Sequence, residues 1–406
     1  MRAVFVNHCH PDCPHVCGTR AREFAQALAH QGHRIVLLTE TLHREDPAVD
    51  PAMLPAALAA HDWTEPFRLA VRPRRAPVLE SLRTGRLPAA LRAGVIAYQY
   101  FMRGGMFTDW RDASEAYWQP LADAFQPEVV WGIFGNTDAW AIAQGIARKA
   151  DCPWVGDLKD QWTAFIPALF RASLSRRYAD ASAITALSRA NAENAAPWFL
   201  GAMQVIYSGV SAGLPPPRLA TDDGRYSLAL IGAIYEPTHL NILVEGLRRY
   251  CLAAGRPPRL IYVGTDSDAV KRAAECLKGL AEIDIREQLP FADYWSVISA
   301  ADLNIYIRTA ETGWWHHKLV ELLAARRPIL CVPGEVEEAH QLARQVKGVL
   351  LDGNDAAAVA AVLDRVEHGA SSAAALVSSV DDIRPLAWER RSEALLGALQ
   401  AVVSRN

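Results

Sequence analysis

The sequence contains no apolar run of about 18 residues, the length a helix needs to cross a bilayer, so no transmembrane helix is expected. Its opening, MRAVFVNHCHPD, turns polar after six residues and lacks the hydrophobic stretch of a signal peptide. No lysine- or arginine-rich block appears, and the net charge is −3, which argues against a dedicated nucleic-acid binder. Cysteine breaks this sparseness. Seven are present, an odd number, and three of them, Cys9, Cys13 and Cys17, fall within nine positions. Without an export signal they are expected as reduced thiols in a cytoplasmic protein. The remaining composition is that of a folded globular protein, 51% hydrophobic and 21% charged. Its 406 residues exceed one core and suit two domains.

Residues 3–7, AVFVN, read as a buried parallel strand. In AREFAQALAHQGH, Phe24, Ala25 and Leu28 share a helical face that stops at Gly32, and RIVLLTE follows as a second strand. This is a β–α–β unit. PEVVWGIF, CPWVGDLKD, ASAITALS and MQVIYSG continue the strands, with helices between them. Residues 211–225, rich in Pro, Gly and Asp, read as a linker. The rhythm then restarts with YSLALIGAI, RLIYVG, IDIREQLP, DLNIYI and PILCVP, separated by helices around 240–254, 267–280, 291–300 and 317–326. The expected fold is therefore α/β, with two doubly wound Rossmann-like domains, 1–210 and 211–384. Residues 385–406 form a separate amphipathic helix. Such domains, facing each other, would form a cleft at the carboxyl ends of their strands, suited to bringing two substrates together.

Residues 81–106 carry Arg83, Arg86, Arg92 and Arg103 and no acid, among Leu87, Leu91, Val95, Ile96, Tyr98, Phe101 and Met102. Residues 165–177 have the same basic-apolar character. Such segments can lie on an anionic inner-leaflet surface as a peripheral membrane contact, or pack on the sheet with solvated arginines.

The stretch TAETGWWHHKLVELLAARRPILCVPG, residues 309–334, carries the chemistry. It follows a strand, holds a glycine-bearing loop, and opens a helix at about His317. Lys318 and Glu321, three apart, share a helix face near its N-terminus. There a cation can meet a phosphate and a carboxylate can accept two hydrogen bonds from a ribose diol. A plain helix salt bridge accounts for the pair equally well. Trp314 and Trp315, beside His316 and His317, suggest an aromatic wall.

KLVELLAARRPIL resembles the conserved donor-site helix of GT-B glycosyltransferases. It is most similar to the large retaining family with a paired-glutamate donor motif, the glycosyltransferase subfamily 4-like proteins. NHCHPDCPHVCGTRAREFAQALAHQGHRIVLLT resembles that family's first β–α–β, PWVGDLKDQW its Asp-x-(Arg/Lys)-Asp-x-Trp segment, and ITALSRANAENA with VIYSGV the end of its first domain. LIYVGT resembles the strand and glycine turn at the donor diphosphate, and PLAWERRSEALL the helix that crosses back to the first domain. The resemblance implies a hexosyltransferase of retaining type using a nucleotide diphosphate sugar and no other cofactor. The acceptor it implies is a hydroxyl of a glycan or lipid-linked precursor in polysaccharide biosynthesis. It implies donor binding by Gly264, Thr265, Arg308, Glu311, Gly313, Lys318 and Glu321. Gly18, Thr19 and His10 would lie on the acceptor side, and Asp157, Lys159 and Asp160 would face the cleft as catalytic residues.

The sequence departs from that family in three places. Gly313 stands where the family has its first glutamate, and Glu311 is the nearest carboxylate. The Arg and Lys that usually follow the second domain's first strand are missing from IGAIYEPTHLN, leaving Arg308 or Lys318 to substitute. GIFGNTDAW offers Asn136 and Asp138 in place of an acceptor-side histidine. A non-catalytic partner of a glycosyltransferase and a nucleotide-sugar epimerase are the competing functions. The C-x3-C-x3-C opening matches neither zinc pairs nor iron–sulfur runs. It reads as an acceptor loop without metal, with a metal site or redox-sensitive thiols as the other readings.

Overall fold

Apolar strands covered on both faces alternate with helices throughout the computed structural model. It describes the chain apart from residues 14, 15, 44, 45, 202, 212, 216–224, 255, 256, 309–316, 369–379 and 406. Two compact units result, Met1–Ser208 with Trp388–Asn406, and Gly209–Ala387. The first holds β1 (Arg2–Val6), β2 (Arg34–Glu40), β3 (Phe67–Val71), β4 (Val129–Ile133), β5 (Trp154–Leu158), β6 (Ala183–Ala186) and β7 (Gln204–Val205) in the order β3-β2-β1-β4-β5-β6-β7. The second holds β8 (Ser227–Ile231), β9 (Arg259–Val263), β10 (Glu282–Arg286), β11 (Leu303–Ile307), β12 (Ile329–Val332) and β13 (Leu350–Asp352) in the order β10-β9-β8-β11-β12-β13. The pairings between neighbouring strands are parallel. Parallel strands need covering helices, which is why β1, β4, β5 and β11 are almost wholly apolar and buried.

The first unit has a core on each side of its sheet. On one side Trp140 stacks on Trp162 at 5.8 Å, with Phe134, Tyr178 and Phe199 around them. On the other, Phe24 and Leu28 of the helix Val16–His30 meet Trp131, and the last helix, Trp388–Val403, closes over them. Phe24 and Trp388 meet edge to face at 5.1 Å, and Gln31 donates to Ser392 at 2.8 Å. The last helix is thus part of the first unit. The region between β2 and β4, to which the sequence reading assigns no strand, supplies β3 at the sheet edge and the helices Leu54–Ala60, Pro77–Arg83, Ala89–Tyr98 and Thr108–Pro120.

Strand order reverses between β1 and β4 in the first unit, and between β8 and β11 in the second. At such a switch point the loops leaving the two strands diverge to opposite faces and open a crevice at their carboxyl ends. The Gly232 turn and the loop leaving β1, described below, each lie at one of these points, and Lys159 and Asp160 follow the next strand, β5.

Candidate functional site

In the second unit, β8 is followed by Gly232, whose φ is +77°, a region glycine enters without steric cost. Its N–H donates to the Val263 carbonyl at 2.7 Å, and its own carbonyl accepts from the Tyr262 hydroxyl at 2.9 Å. A Cβ here would lie 2.6 Å from Lys318 Nζ, so the ammonium rests against bare backbone. The turn after β9 is tied to the same place. The Asp266 N–H donates to the Tyr262 hydroxyl at 2.9 Å, and the Asp266 carboxylate accepts from the Ile234 N–H at 3.0 Å. Gly264 is required by close approach, because a Cβ would meet the Tyr262 hydroxyl at 2.4 Å and the Gly232 carbonyl oxygen at 2.6 Å. Thr265 is exposed beside it, its hydroxyl donating to Asp266 at 3.1 Å.

Lys318 and Glu321 come from the helix His317–Ala324. Burial pulls the Lys318 ammonium down to about 8, against the opposing pull of Glu321 and Asp266. Glu321 accepts from the Tyr294 hydroxyl at 2.8 Å and pairs with His317 at 3.2 Å. Burial disfavours its charge, but His317, Tyr294 and Lys318 together hold it below the usual carboxylate range. The direct partners of Glu321 are therefore Tyr294 and His317, with Lys318 turned toward the Gly232 backbone.

Arg308 follows β11, its N–H donating to the Val332 carbonyl at 2.9 Å and its carbonyl 2.8 Å from His239 Nδ1. Its Nε is buried with no partner among the described residues. Glu335, in the turn after β12, has one oxygen in the same condition, and the other accepts from the Val336 N–H at 3.0 Å. Burial pushes Glu335 up to about 7, while the Val336 N–H and Arg308 act against it. The sequence reading misses Glu335; the available signal is the Pro-Gly-Glu turn closing an apolar strand. Glu311, Gly313, Trp314, Trp315 and His316 lie outside the described residues.

In the first unit the expected residues divide into two groups. Asp157 does not face open space: it is 0% exposed and forms a two-pronged pair with Arg20, itself 1% exposed, at 3.0 and 3.1 Å. Thr185 donates to the same carboxylate at 2.7 Å, and Arg20 also donates to the Ile206 carbonyl at 2.9 Å. Asn136 and Asp138 are likewise turned inward. Asn136 caps the helix Thr137–Ala150, accepting from the N–H groups of Asp138 and Ala139 at 3.0 and 3.1 Å. Asp138 is buried, accepts from the Phe107 N–H at 2.7 Å and pairs with Arg111 at 3.2 Å; burial still pushes its carboxyl up. Gly18 is set by packing, since a Cβ would lie 2.5 Å from the His10 carbonyl oxygen of the preceding loop.

Lys159 and Asp160 pair at 2.7 Å just beyond β5, and Asn191 fixes the backbone there by donating to the Leu158 and Lys159 carbonyls. Burial works against the Lys159 charge, but Cys17, Asp160 and Cys9 raise its pKa overall. His10 is partly buried, which lowers its pKa, and its Nδ1 accepts from the Asp12 N–H at 3.2 Å. Thr19 is half-buried on the first turn of the helix Val16–His30.

No protein-family model and no curated protein matches the chain. Solved structures do. HepE of Anabaena, in complex with UDP-glucose, is 14% identical with a TM-score of 0.60, covering 99% of this chain and 100% of that one. A glycosyltransferase from Rickettsia africae is 12% identical, TM-score 0.59, covering 100% and 99%. The trehalose 6-phosphate synthase of Burkholderia multivorans is 12% identical, TM-score 0.64, covering 100% and 97%. At this identity the likeness is one of fold: two parallel α/β sheets with interleaved helices, the GT-B architecture, over essentially the full chain.

The buried pair makes a prediction. Asp157→Ala strands the Arg20 guanidinium in the interior and is expected to cost about 3–5 kcal/mol of stability. Urea unfolding followed by tryptophan fluorescence measures it, and an unchanged midpoint would remove the pair from its structural role.

Proposed function

We propose that the chain is a glycosyltransferase that moves a hexosyl group from a nucleoside diphosphate sugar to a hydroxyl acceptor, with retention at the anomeric carbon. The observation that carries this reading is the Lys318 ammonium resting against the bare Gly232 turn, with Glu321 one turn along the same helix. As the bond from the anomeric carbon to the diphosphate breaks, negative charge grows on the leaving phosphate. A cation and backbone fixed beforehand stabilise that charge most effectively. Lys318 takes the place of the arginine–lysine pair missing after β8, and Glu321 accepts the ribose hydroxyls. Arg308 Nε and a Glu335 oxygen, buried with no partner among the described residues, suit the diphosphate and a sugar hydroxyl respectively. No cofactor enters this reading. HepE, crystallised with UDP-glucose, makes UDP the first nucleotide to test.

In the first unit Lys159 and Asp160 are the proposed catalytic pair beside the acceptor, with His10 and Thr19 lining its side. Asp157 acts through Arg20 as a positioning residue. The acceptor in this reading is a glycan or lipid-linked precursor, and one surface supports it. Tyr100 stacks on Phe170 at 5.3 Å, which sets the two basic-apolar segments side by side. Leu91, Tyr98, Phe101, Met102 and Leu169 are exposed there, Phe101 by 74% and Leu169 by 83%, with Arg86, Arg92 and Arg176 also exposed. Apolar side chains among arginines suit an anionic lipid surface. No helix among the described residues is long and apolar enough to cross a membrane.

Three measurements test these statements. Calorimetric titration should show UDP binding to the full chain. Glu321→Ala should weaken it by about 1.5–3 kcal/mol, roughly 10- to 150-fold; equal affinity in the variant refutes the donor-site placement. The Lys318 ammonium is protonated below about 8, so UDP affinity should hold below that pH and fall as pH rises through it. Lys318→Arg, charged throughout, should abolish the fall, and an identical pH profile in that variant removes Lys318 from phosphate binding. Sedimentation with phosphatidylglycerol vesicles should carry the protein down. Phe101→Ser with Leu169→Ser should release it, and equal pelleting by neutral vesicles contradicts the charge-based contact.

A further inference from the structure

Cys9 and Cys17 come together in the fold although Cys13 separates them in sequence, because the loop leaving β1 folds back over the start of the helix Val16–His30. His8 joins them: its Nε2 lies 3.4 Å from Cys9 Sγ, and donor atoms of His8, Cys9 and Cys17 all lie within 4.8 Å of one another. Zinc bound at about 2.3 Å to sulfur and about 2.0–2.1 Å to nitrogen has tetrahedral edges of roughly 3.6–3.8 Å. The His8–Cys9 edge is already that short, and the widest separation needs to close by only about 1 Å.

The surroundings hold the three side chains in place. Asn7, fully buried, donates to the carbonyls of both Cys9 and Cys17, at 3.0 and 3.1 Å, and its Oδ1 accepts from Cys17 Sγ at 3.1 Å. Gly135, just beyond β4, leaves the space for the imidazole: a Cβ there would lie 2.5 Å from His8 Cε1 and 3.4 Å from Cys17 Sγ. The ring also packs near Phe107, at 5.1 Å between centroids. Two sulfurs and an imidazole form a soft donor set that suits zinc and not magnesium or calcium.

We propose that His8, Cys9 and Cys17 bind one zinc ion, leaving a fourth position for water. Binding replaces the two thiol protons, which pass to solvent; the hydrogen bond from the Cys17 thiol to Asn7 Oδ1 is given up, and bonds from the ion to two sulfurs and one nitrogen form. The ion staples the loop of the β1/β4 switch point to the first helix, beside Lys159. This reverses the metal-free reading of the opening. The C-x3-C-x3-C spacing counts Cys13, whereas the fold selects Cys9, Cys17 and a histidine. The proposal is independent of the glycosyltransferase reading.

The test uses the full chain, produced in zinc-supplemented medium, kept reduced with a phosphine and desalted. Elemental analysis should find about one zinc per chain. Competition with a chromophoric chelator should show affinity falling at least about tenfold in Cys9→Ser and in Cys17→Ser, and unchanged in Cys13→Ser. Cobalt in place of zinc should give a thiolate charge-transfer absorption that Cys9→Ser diminishes. Circular dichroism checks each variant's fold, and if buried Cys17→Ser does not fold, the half-buried Cys9 variant carries the test alone. Wild-type protein without zinc, zinc retained undiminished in Cys9→Ser, or an equal loss in Cys13→Ser would each overturn the site.

Discussion

The buried pair between Arg20 and Asp157 is the interaction on which the first unit's functional end depends. Removing a guanidinium and a carboxylate from water costs several kcal/mol for each ion, and only good geometry with the remaining valences satisfied offsets it. Both conditions hold here: two parallel hydrogen bonds join the ions, Thr185 donates to the carboxylate, and the Ile206 carbonyl accepts from Arg20. The guanidinium also lies over the Phe24 ring at 4.9 Å. These partners come from the first helix, β5, β6 and the chain after β7, all at the carboxyl end of the sheet. The pair thereby fixes the helix that carries Cys17 and Thr19 against the strand that leads into Lys159 and Asp160.

The second unit rests on a different constraint, the absence of side chains at Gly232 and Gly264. Their bare backbone lets the β8 and β9 turns interlock through Tyr262 and brings the Lys318 ammonium against the chain. That position disfavours the charge, as the lowered Lys318 pKa records. This half-buried cation, next to a carboxylate kept ionised by His317 and Tyr294, is what the proposed anion site rests on.

Most of the fold was legible because parallel strands are apolar on both faces and their helices are bounded by glycine or proline. The helix ending before Gly32 and the helix Phe291–Ala300 after Pro290 are examples. β3 was not, since FRLAV is an edge strand with alternating burial and follows a region of short helices. The helix that carries Lys318 and Glu321 was legible because three-residue spacing on one helix is local. Asp157 was misread, because its partner Arg20 is 137 positions away and a motif gives a residue's place without its neighbours. The roles of Asn7 and the Cys9–Cys17 approach were hidden although local, because they depend on how the loop after β1 folds back on the first helix, and a loop's path is not periodic.

The most direct test of the central claim is a crystal structure of the full chain grown with UDP. The account predicts diphosphate density between the Gly232 turn and Lys318 Nζ, with both ribose hydroxyls on the Glu321 carboxylate. UDP bound elsewhere, or a Gly232–Lys318 site left empty at saturating UDP, would contradict it.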